Sequence, residues 1–369
     1  MNKIKQYKVR ILIFLVCSIL ICSTLFFYKP CENWLNNLFF KNPVVNLADC
    51  DLTVHFVDIG QGDCVLVNFP DDKILLVDCG SNVNQSKLEI YLNKYFENKD
   101  KVIDYFLITH ADEDHYGNGS YVFENFDVKN FYRPSIYTPN EIERYGFEDV
   151  NVNNDEGYKK LIDESLQNES GCNMFFNIAN DNLLNLNNCN YSVKCLSPLE
   201  ENYNDSNDYS VVLQIEYANR KILLTGDIES NIENRLIQTY GDELKSDILK
   251  VAHHGSKTSS QTNFLSKVSP QYAIISVEKD NIYNLPNQEV MTRLNSIVGQ
   301  ENIYRTDEMG NIVFGLNSKQ KIEDKASVIV KTTKAINVNF KVSWWCVIVL
   351  VEGLTFVGVF FISKKKKVK

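Results

Sequence analysis

The segment from Thr109 to His115 constrains the fold of this chain more than any other stretch. It follows the apolar run 102–109, which is short enough to be a buried strand. Loops at the carboxyl ends of strands carry the chemistry of α/β folds, and imidazoles and carboxylates are common ligands of divalent metals. The sequence therefore predicts a metal site on this loop. Its candidate ligands are His110, Asp112, Asp114 and His115.

The histidines are concentrated in two short motifs. The chain has five of them, and besides the two above, His253 and His254 stand together in the motif from Lys250 to Ser256. This concentration favours metal binding over a solvated polar loop. The fifth, His55, alternates with apolar neighbours on a predicted strand, and we expect it to be a packed core residue.

Strands and helices alternate in two rounds along the chain, which indicates an α/β fold with two sheets faced by helices. Asp78 and Asp227 each end a predicted strand. The predicted helices cover 87–98, 155–167, 231–240 and 287–298. The predicted strands cover 52–58, 64–69, 73–78, 102–109, 190–196, 210–217, 221–225, 246–252 and 272–276.

Two apolar segments near the ends are predicted to be single transmembrane helices. Basic residues lie before the first and after the second, so the positive-inside rule places both termini in the cytoplasm and the rest outside. A cleaved signal peptide and a buried core helix are the alternatives, and neither fits the flanking sequence. The predicted organisation is a tail at 1–10, a span at 11–28, a linker at 29–50, a domain at 51–317, a linker at 318–341, a span at 342–363 and a basic tail at 364–369.

Charge and cysteine content limit the classes of partner. Residues 30–341 contain 28 lysines and arginines against 46 aspartates and glutamates, a net charge of −18. Such a surface is unlike that of a protein that grips nucleic acid through many phosphate contacts. Cys64 and Cys79 lie in predicted strands and are expected to be free. Other cysteines leave two pairings open, Cys172 with Cys189 and Cys31 with Cys50.

The motifs resemble those of the metallo-β-lactamase fold, in which His-x-His-x-Asp-His follows a strand. More narrowly, the chain is similar to the extracellular hydrolase domain of the ComEC DNA-uptake family, where this motif reads His-x-Asp-x-Asp-His as it does at 110–115. Further shared motifs occur in the family's order at 56–63, 76–80, 224–228, 250–256 and 305–307. The resemblance implies an αββα sandwich, flanked here by the two predicted membrane helices, and two divalent metal ions.

The resemblance also implies roles for individual residues. His110 and Asp112 would serve one metal, Asp114 and His115 the other, and Asp227 would bridge both. His253 is chosen as a further ligand because it directly continues a strand, which leaves His254 to contact substrate or transfer a proton alongside Asp114. Near the ligands or the substrate, the resemblance places Asp63, Asp78, Asn207 and Ser210. Tyr283 is a further candidate, as a donor to a phosphate oxygen.

Two departures from the family bear on activity. The broader fold supplies one more histidine to the first metal, but this chain has none between His115 and His253. An oxygen-rich first site favours manganese or magnesium over zinc there. Leu285 also stands where the family usually has a histidine before proline. Asn207 and Ser210 could complete the first site or bind phosphate, and ordinary turn chemistry explains them equally well.

The sequence thus predicts a membrane-anchored, metal-dependent hydrolase that faces outward. Its expected substrate is a phosphodiester, with single-stranded DNA implied by the ComEC resemblance, and its expected partners are the lipid bilayer and membrane proteins. Two alternatives stay open. One is a hydrolase of a small nucleotide, a lipid or a cell-wall phosphodiester, which the acidic surface favours. The other is a metal-stabilised binding module without catalysis.

Overall fold

Two β-sheets packed face to face form the centre of the fold. The computed structural model describes residues 47, 49–146, 148, 150–167, 172–175, 191–200, 202–322 and 324–333. In that part of the chain the strands are β1 (Leu52–Phe56), β2 (Val65–Asn68), β3 (Ile74–Val77), β4 (Val102–Ile103), β5 (Tyr105–Leu107), β6 (Asp127–Val128), β7 (Asn130–Tyr132), β8 (Ile136–Tyr137), β9 (Asn151–Val152), β10 (Asn173–Phe175), β11 (Tyr191–Ser197), β12 (Val212–Tyr217), β13 (Arg220–Leu224), β14 (Ile248–Lys250), β15 (Tyr272–Ile275), β16 (Ile303–Arg305), β17 (Ile312–Ile322) and β18 (Lys325–Thr332).

Each large sheet contains a parallel half. The first sheet has the strand order β10-β7-β5-β3-β2-β1-β17-β18, and the second has the order β11-β12-β13-β14-β15-β16. Strands β3, β5, β7 and β10 pair in parallel, as do β13, β14, β15 and β16. Parallel neighbours end at the same edge of a sheet, so the loops after β3 and β5 emerge together, and so do those after β13 and β14.

Alternate side chains of the strands fill the space between the two sheets. Val54 and Phe56 of the first sheet share one buried apolar cluster with Ile222 and Ile274 of the second. The residues between them on each strand point to the opposite faces, because side chains alternate along a strand. His55 follows this rule. It is buried, and its Nδ1 lies 2.6 Å from the hydroxyl of Tyr91, as expected for a core histidine.

Helices cover the outer faces of both sheets. Leu88 and Leu161 from the first half of the chain, and Leu236 and Leu294 from the second, are buried in the outer apolar cluster. This arrangement gives the αββα layers expected from the alternation of strands and helices. The helices are α1 (Gln85–Tyr95), α2 (Glu113–Tyr116), α3 (Gly119–Asn125), α4 (Pro139–Tyr145), α5 (Glu156–Gln167), α6 (Ser230–Tyr240), α7 (Thr262–Val268), α8 (Gln288–Ile297) and α9 (Thr306–Met309).

The segment after residue 317 corrects the expected domain boundary. Residues 318–341 were predicted to be a polar linker, but β17 continues to Ile322 and β18 pairs with it in the first sheet. Ala326 and Ser327 of β18 are buried, whereas residues 319–322 at the end of β17 are exposed, and the polar sequence at 317–321 conceals the strand pattern. The amino-terminal part of β17, residues 312–316, pairs with β1. Strand β1 therefore lies between β2 and β17.

The predicted membrane spans at 11–28 and 342–363 lie outside the described residues. Within the described part of the chain, no helix combines the length and the apolar character needed to span a bilayer. Cys64 and Cys79 are buried and free, as expected. Of the two disulfide pairings left open, each has one partner outside the described residues, Cys31 in one pair and Cys189 in the other.

Candidate metal centre

Polar loops from the two sheets meet at their carboxyl edges. Asp78 follows β3, and the loop from Thr109 to Asp112 follows β5 and leads into α2. From the second sheet, Asp227 follows β13, and the histidine pair follows β14. His115 joins the two sides, since its two ring nitrogens lie 2.8 Å from Asp78 Oδ2 and 3.3 Å from Asp227 Oδ2.

Asp78 holds the loop after β5 from behind. Its Oδ1 accepts a hydrogen bond from the backbone N–H of Thr109 at 2.7 Å. Its Oδ2 accepts from the Thr109 hydroxyl and from Nδ1 of His115, both at 2.8 Å. Because Nδ1 of His115 is engaged, its Nε2 is the nitrogen that faces Asp227. A carboxylate that fixes a histidine in this way orients the ring as a metal ligand.

The structure places the two adjacent histidines differently from the expectation. His254, expected to face away, is buried with its Nε2 3.2 Å from Asp227 Oδ2 and 3.3 Å from Asp114 Oδ2. Its Nδ1 donates to the carbonyl of Ser276 at 2.9 Å. His253, expected to arrive first, has a 26% exposed side chain with its Nε2 3.9 Å from Asp227. Its Nδ1 lies 3.6 Å from Glu229.

Backbone geometry explains this exchange. His253 and His254 both adopt left-handed conformations, with φ angles of 50° and 52°. The strand direction therefore does not continue through His253, and the alternation assumed in the sequence argument ends before it. The turn is held by Gly255, where an added Cβ would lie 2.6 Å from Cβ of Pro286.

His110 and Asp112 form the other side of the centre. The His110 ring is buried, and its Nδ1 lies 3.0 Å from the Thr109 hydroxyl. Its Nε2 lies 3.7 Å from Asp112 Oδ2. The Asp112 side chain is 43% exposed, so this side is open to solvent while the side near His115 is closed.

Lys250 is a further member of the centre, and its place there is not predicted from the sequence. Its side chain is buried, and its ammonium contacts the carboxylate of Asp63 and lies 3.9 Å from Asp227 Oδ1. A lysine in an apolar strand requires a buried partner, because an unpaired ammonium is costly there. That rule could have flagged Lys250 from the sequence.

A glycine brings the first hairpin close to the metal loop. At Gly62, φ is 116° and an added Cβ would lie 2.0 Å from the backbone oxygen of Asp114. The next residue, Asp63, donates its backbone N–H to that same oxygen at 3.2 Å. Side chains larger than hydrogen would separate the two loops. Gly62 thus explains how Asp63 enters the centre although it lies far from the other ligands in sequence.

The electrostatics of the centre are those of tightly packed acids and bases. Burial raises the pKa of Asp227, but the positive charges of His254 and His115 outweigh it and hold that pKa well below its usual range. Burial lowers the pKa of His254, but Asp227 and Asp114 outweigh it and raise it to about 10. The carboxylates therefore remain ionised and can accept cations at neutral pH.

The remaining predicted residues lie around this cluster. The Ser210 hydroxyl accepts a hydrogen bond from the backbone N–H of Asp227 at 3.0 Å, so it fixes the loop after β13. Asn207 is half-buried in the turn before it. The Tyr283 side chain is 63% exposed, on a loop whose Asn287 donates to the carbonyl of Gly255 at 2.8 Å.

Unpartnered buried atoms show that the centre fits metal ions. Among the described residues, several buried ring and carboxylate atoms of this centre have no hydrogen-bond partner: Nε2 of His110, His115 and His254, Nδ1 of His253, and Oδ1 of Asp63 and Asp227. His110, His115 and Asp227 offer ligand atoms within 4.8 Å of one another, and so do Asp114, His115 and His254. Buried polar groups are normally satisfied, and divalent cations would satisfy these.

Part of the chain matches a known protein family, and longer stretches match individual curated proteins. Residues 57–164 match the metallo-β-lactamase superfamily. The chain is 30% identical over 278 residues to ComE operon protein 3 of Bacillus subtilis, an alignment that covers 71% of this chain and 32% of that protein. It is 28% identical over 242 residues to recombination protein 2 of Haemophilus influenzae, which covers 65% of this chain and 26% of that protein.

A shorter match is closer in sequence. Competence protein ComA of Neisseria gonorrhoeae is 38% identical over 121 residues, or 33% of this chain and 17% of that protein. The chain thus spans less than a third of the length of these relatives. Among solved structures, the metallo-β-lactamase fold protein YhfI of Bacillus subtilis is 12% identical, with a TM-score of 0.41 over 76% of this chain and all of that protein.

Proposed function

Because residues 57–164 carry a metallo-β-lactamase domain and the chain is related to ComEC-family competence proteins, we propose that it is a metal-dependent phosphodiesterase. The observation that carries the proposal is the set of unpartnered, buried imidazole and carboxylate atoms that converge at the sheet edges. Hydrolases use such centres to activate water and to stabilise charge on an oxygen-rich reacting group.

The distances within the centre support an assignment of two ligand groups. His110, Asp112 and Asp227 would hold the first ion, and Asp114, His115, His254 and Asp227 the second. His254 replaces His253 in this assignment because it is the buried histidine whose free nitrogen faces both Asp114 and Asp227. His253 would instead contact substrate, since it lies half-buried at the edge of the cluster.

The ions would lower the pKa of a coordinated water and offset negative charge on the phosphate. The protein's own side chains would position the ions and the attacking water. Asp227 would be shared by both ions, and Asp114 would orient the attacking water or accept its proton. Asn207, which is half-buried, and the exposed Tyr283 would bind phosphate oxygens. Since the first ligand group contains one nitrogen and otherwise oxygens, manganese or magnesium suits it better than zinc.

The choice of substrate rests on the relatives. One of them is named for competence and another for recombination, which favours a nucleic acid, and single-stranded DNA in particular, as the phosphodiester. The charge of −18 over residues 30–341 favours a smaller substrate instead, because an acidic surface repels a polyanion. A binding module without catalysis is the further alternative, and Leu285 in place of the family's usual histidine favours it.

Hydrolysis assays of the purified full chain separate these functions. We expect manganese-dependent turnover of bis-p-nitrophenyl phosphate and of single-stranded DNA, and weaker turnover with zinc. Cleavage of the small diester alone would indicate a small natural substrate. Stoichiometric metal binding with no turnover of either would contradict the proposed activity and leave the binding module.

Asp78→Asn is expected to weaken metal binding by roughly 10- to 100-fold, the usual cost of losing a residue that orients a ligand. The amide keeps the shape but removes the negative charge that receives Nδ1 of His115. Manganese affinity measured by titration of the metal-free protein checks this. Asp127→Asn, at an exposed aspartate of β6, is the matched control. Equal affinities in the two variants would contradict the proposed role of Asp78.

We also propose that both termini face the cytoplasm and the domain lies outside, anchored by the predicted spans. A protease added to intact cells is then expected to cut within residues 137–195 and to leave tags at both termini intact. The reason is the clustering of basic residues at both ends of the chain. Antibodies against the tags and the domain report the outcome. Cleavage that requires opened cells would show the opposite topology.

A further inference from the structure

The buried lysine of the centre occupies a position with the geometry of a cation site. Asp63, Asp227 and His254 offer ligand atoms within 4.8 Å of one another, as do two other groups of side chains in the centre, His110 with His115 and Asp227, and Asp114 with His115 and His254. The Lys250 ammonium already lies between two members of this third group. It contacts Asp63 and lies 3.9 Å from Asp227 Oδ1 and 3.5 Å from the carbonyl of Gly226.

We propose that the Lys250 ammonium acts as a built-in cation that fills this third position and limits the centre to two divalent ions. The proposal deepens the proposed function, on which it rests. It makes Lys250 a positioning residue, because the ammonium contacts the carboxylate of Asp63 and lies 3.9 Å from that of Asp227. Asp63 would then pair with the Lys250 ammonium and would not coordinate either divalent ion.

Charge balance supports this role. Five carboxylates enter the centre, and two divalent cations with one ammonium carry the five positive charges that neutralise them when the imidazoles are neutral. Removing the lysine would leave one buried carboxylate without a counter-charge, which is strongly unfavourable in a protein interior. A further cation would relieve that charge. The five carboxylates are those of Asp63, Asp78, Asp112, Asp114 and Asp227.

The surroundings of the ammonium would suit a hard cation. Three oxygen-bearing groups face it, the carboxylates of Asp63 and Asp227 and the carbonyl of Gly226. Asp63 is fixed from the other side, since its backbone N–H donates to the carbonyl of Asp114. An ion placed there would therefore find preformed oxygen ligands, which Mn²⁺ accepts readily.

Three variants of the full chain test the proposal through the number of bound ions. Lys250→Ala removes the charge and opens space, and we expect it to bind one more Mn²⁺ per chain than the natural protein. Lys250→Met removes the charge but fills the space, so its stoichiometry should stay unchanged. The double variant Lys250→Ala with Asp63→Asn removes the receiving carboxylate and should also bind no additional ion. Equilibrium dialysis of metal-free protein with Mn²⁺ gives all four counts.

The outcomes are distinct from those that test the proposed function. If the natural protein binds no Mn²⁺, the metal-dependent function itself is contradicted. If it binds Mn²⁺ and Lys250→Ala binds no more, the role of Lys250 alone is overturned. Should Lys250→Ala fail to fold without metal, thermal melting decides. Recovery of a cooperative transition by Mn²⁺ in Lys250→Ala and not in Lys250→Met supports the proposal, and no recovery in Lys250→Ala overturns it.

Discussion

Asp227→Asn should lose bound metal and hydrolytic activity together, with turnover falling by at least roughly 10³-fold, the upper range for removing a single oxyanion-hole donor from an active site. The aspartate is buried and reaches toward three imidazoles, with its Oδ2 3.2 Å from His254 and 3.3 Å from His115. An amide of the same shape is neutral and a weaker ligand. Metal analysis of the purified variant, beside its rate, measures both effects.

Asp242→Asn is the matched control for this variant. Asp242 lies just after α6, its side chain is 76% exposed, and its ion pair is with Lys267 on the surface. We expect natural metal content and natural turnover in the control. If Asp227→Asn retained the full complement of ions, the proposal that Asp227 is shared by both ions would be wrong.

His254→Ala should lose the second metal, whereas His253→Ala should keep it. His254 is buried, with its free Nε2 directed at Asp114 and Asp227, so its removal takes away one of the four side chains assigned to the second ion. We expect affinity to fall by more than the roughly 100-fold that marks the upper end for outer contacts. In His253→Ala we expect natural stoichiometry with turnover lowered roughly tenfold to ten-thousandfold, as for a lost proton-transfer or substrate contact.

Metal content of both variants, measured beside their rates, decides between the two histidines. If His253 continued the direction of β14, the reverse result would be expected, with metal lost in His253→Ala. Loss of metal in His253→Ala alone would therefore make His253 the ligand and contradict the assignment of His254. Loss in both would show that the pair acts as one ligand group.

The sequence predicted the parts of the fold that depend on short-range pattern. Helix α5 (Glu156–Gln167) and helix α6 (Ser230–Tyr240) begin within a residue of their predicted starts, because amphipathic periodicity defines them. The strand before Thr109 was recognised by its apolar residues. It appears in the structure as two short strands, interrupted at Asp104, whose carboxylate accepts the backbone N–H of Ile74 at 2.9 Å.

Features that depend on backbone reversals and long-range charge were harder to predict. Left-handed φ angles at His253 and His254 are unusual for histidine, and local sequence gives little warning of them. The sequence does not reveal the role of Lys250 because its partner Asp63 is distant along the chain. The sequence predicts a linker in place of β18 because a run of polar residues, 317–321, precedes it. Each of these features depends on contacts between residues that are distant in the sequence.

The place of β1 between β2 and β17 has a consequence for how this protein must be made. Asp51 and Ser318, 267 residues apart, are joined by hydrogen bonds of 2.8 Å at the end of that pairing. A ribosome would expose the edge of β1 long before β17 is synthesised, and unpaired strand edges invite aggregation. Closure of the sheet is thus a late, long-range event, and such events slow folding. A nascent chain that stops before residue 312 would keep β1 as an unpaired, aggregation-prone edge strand.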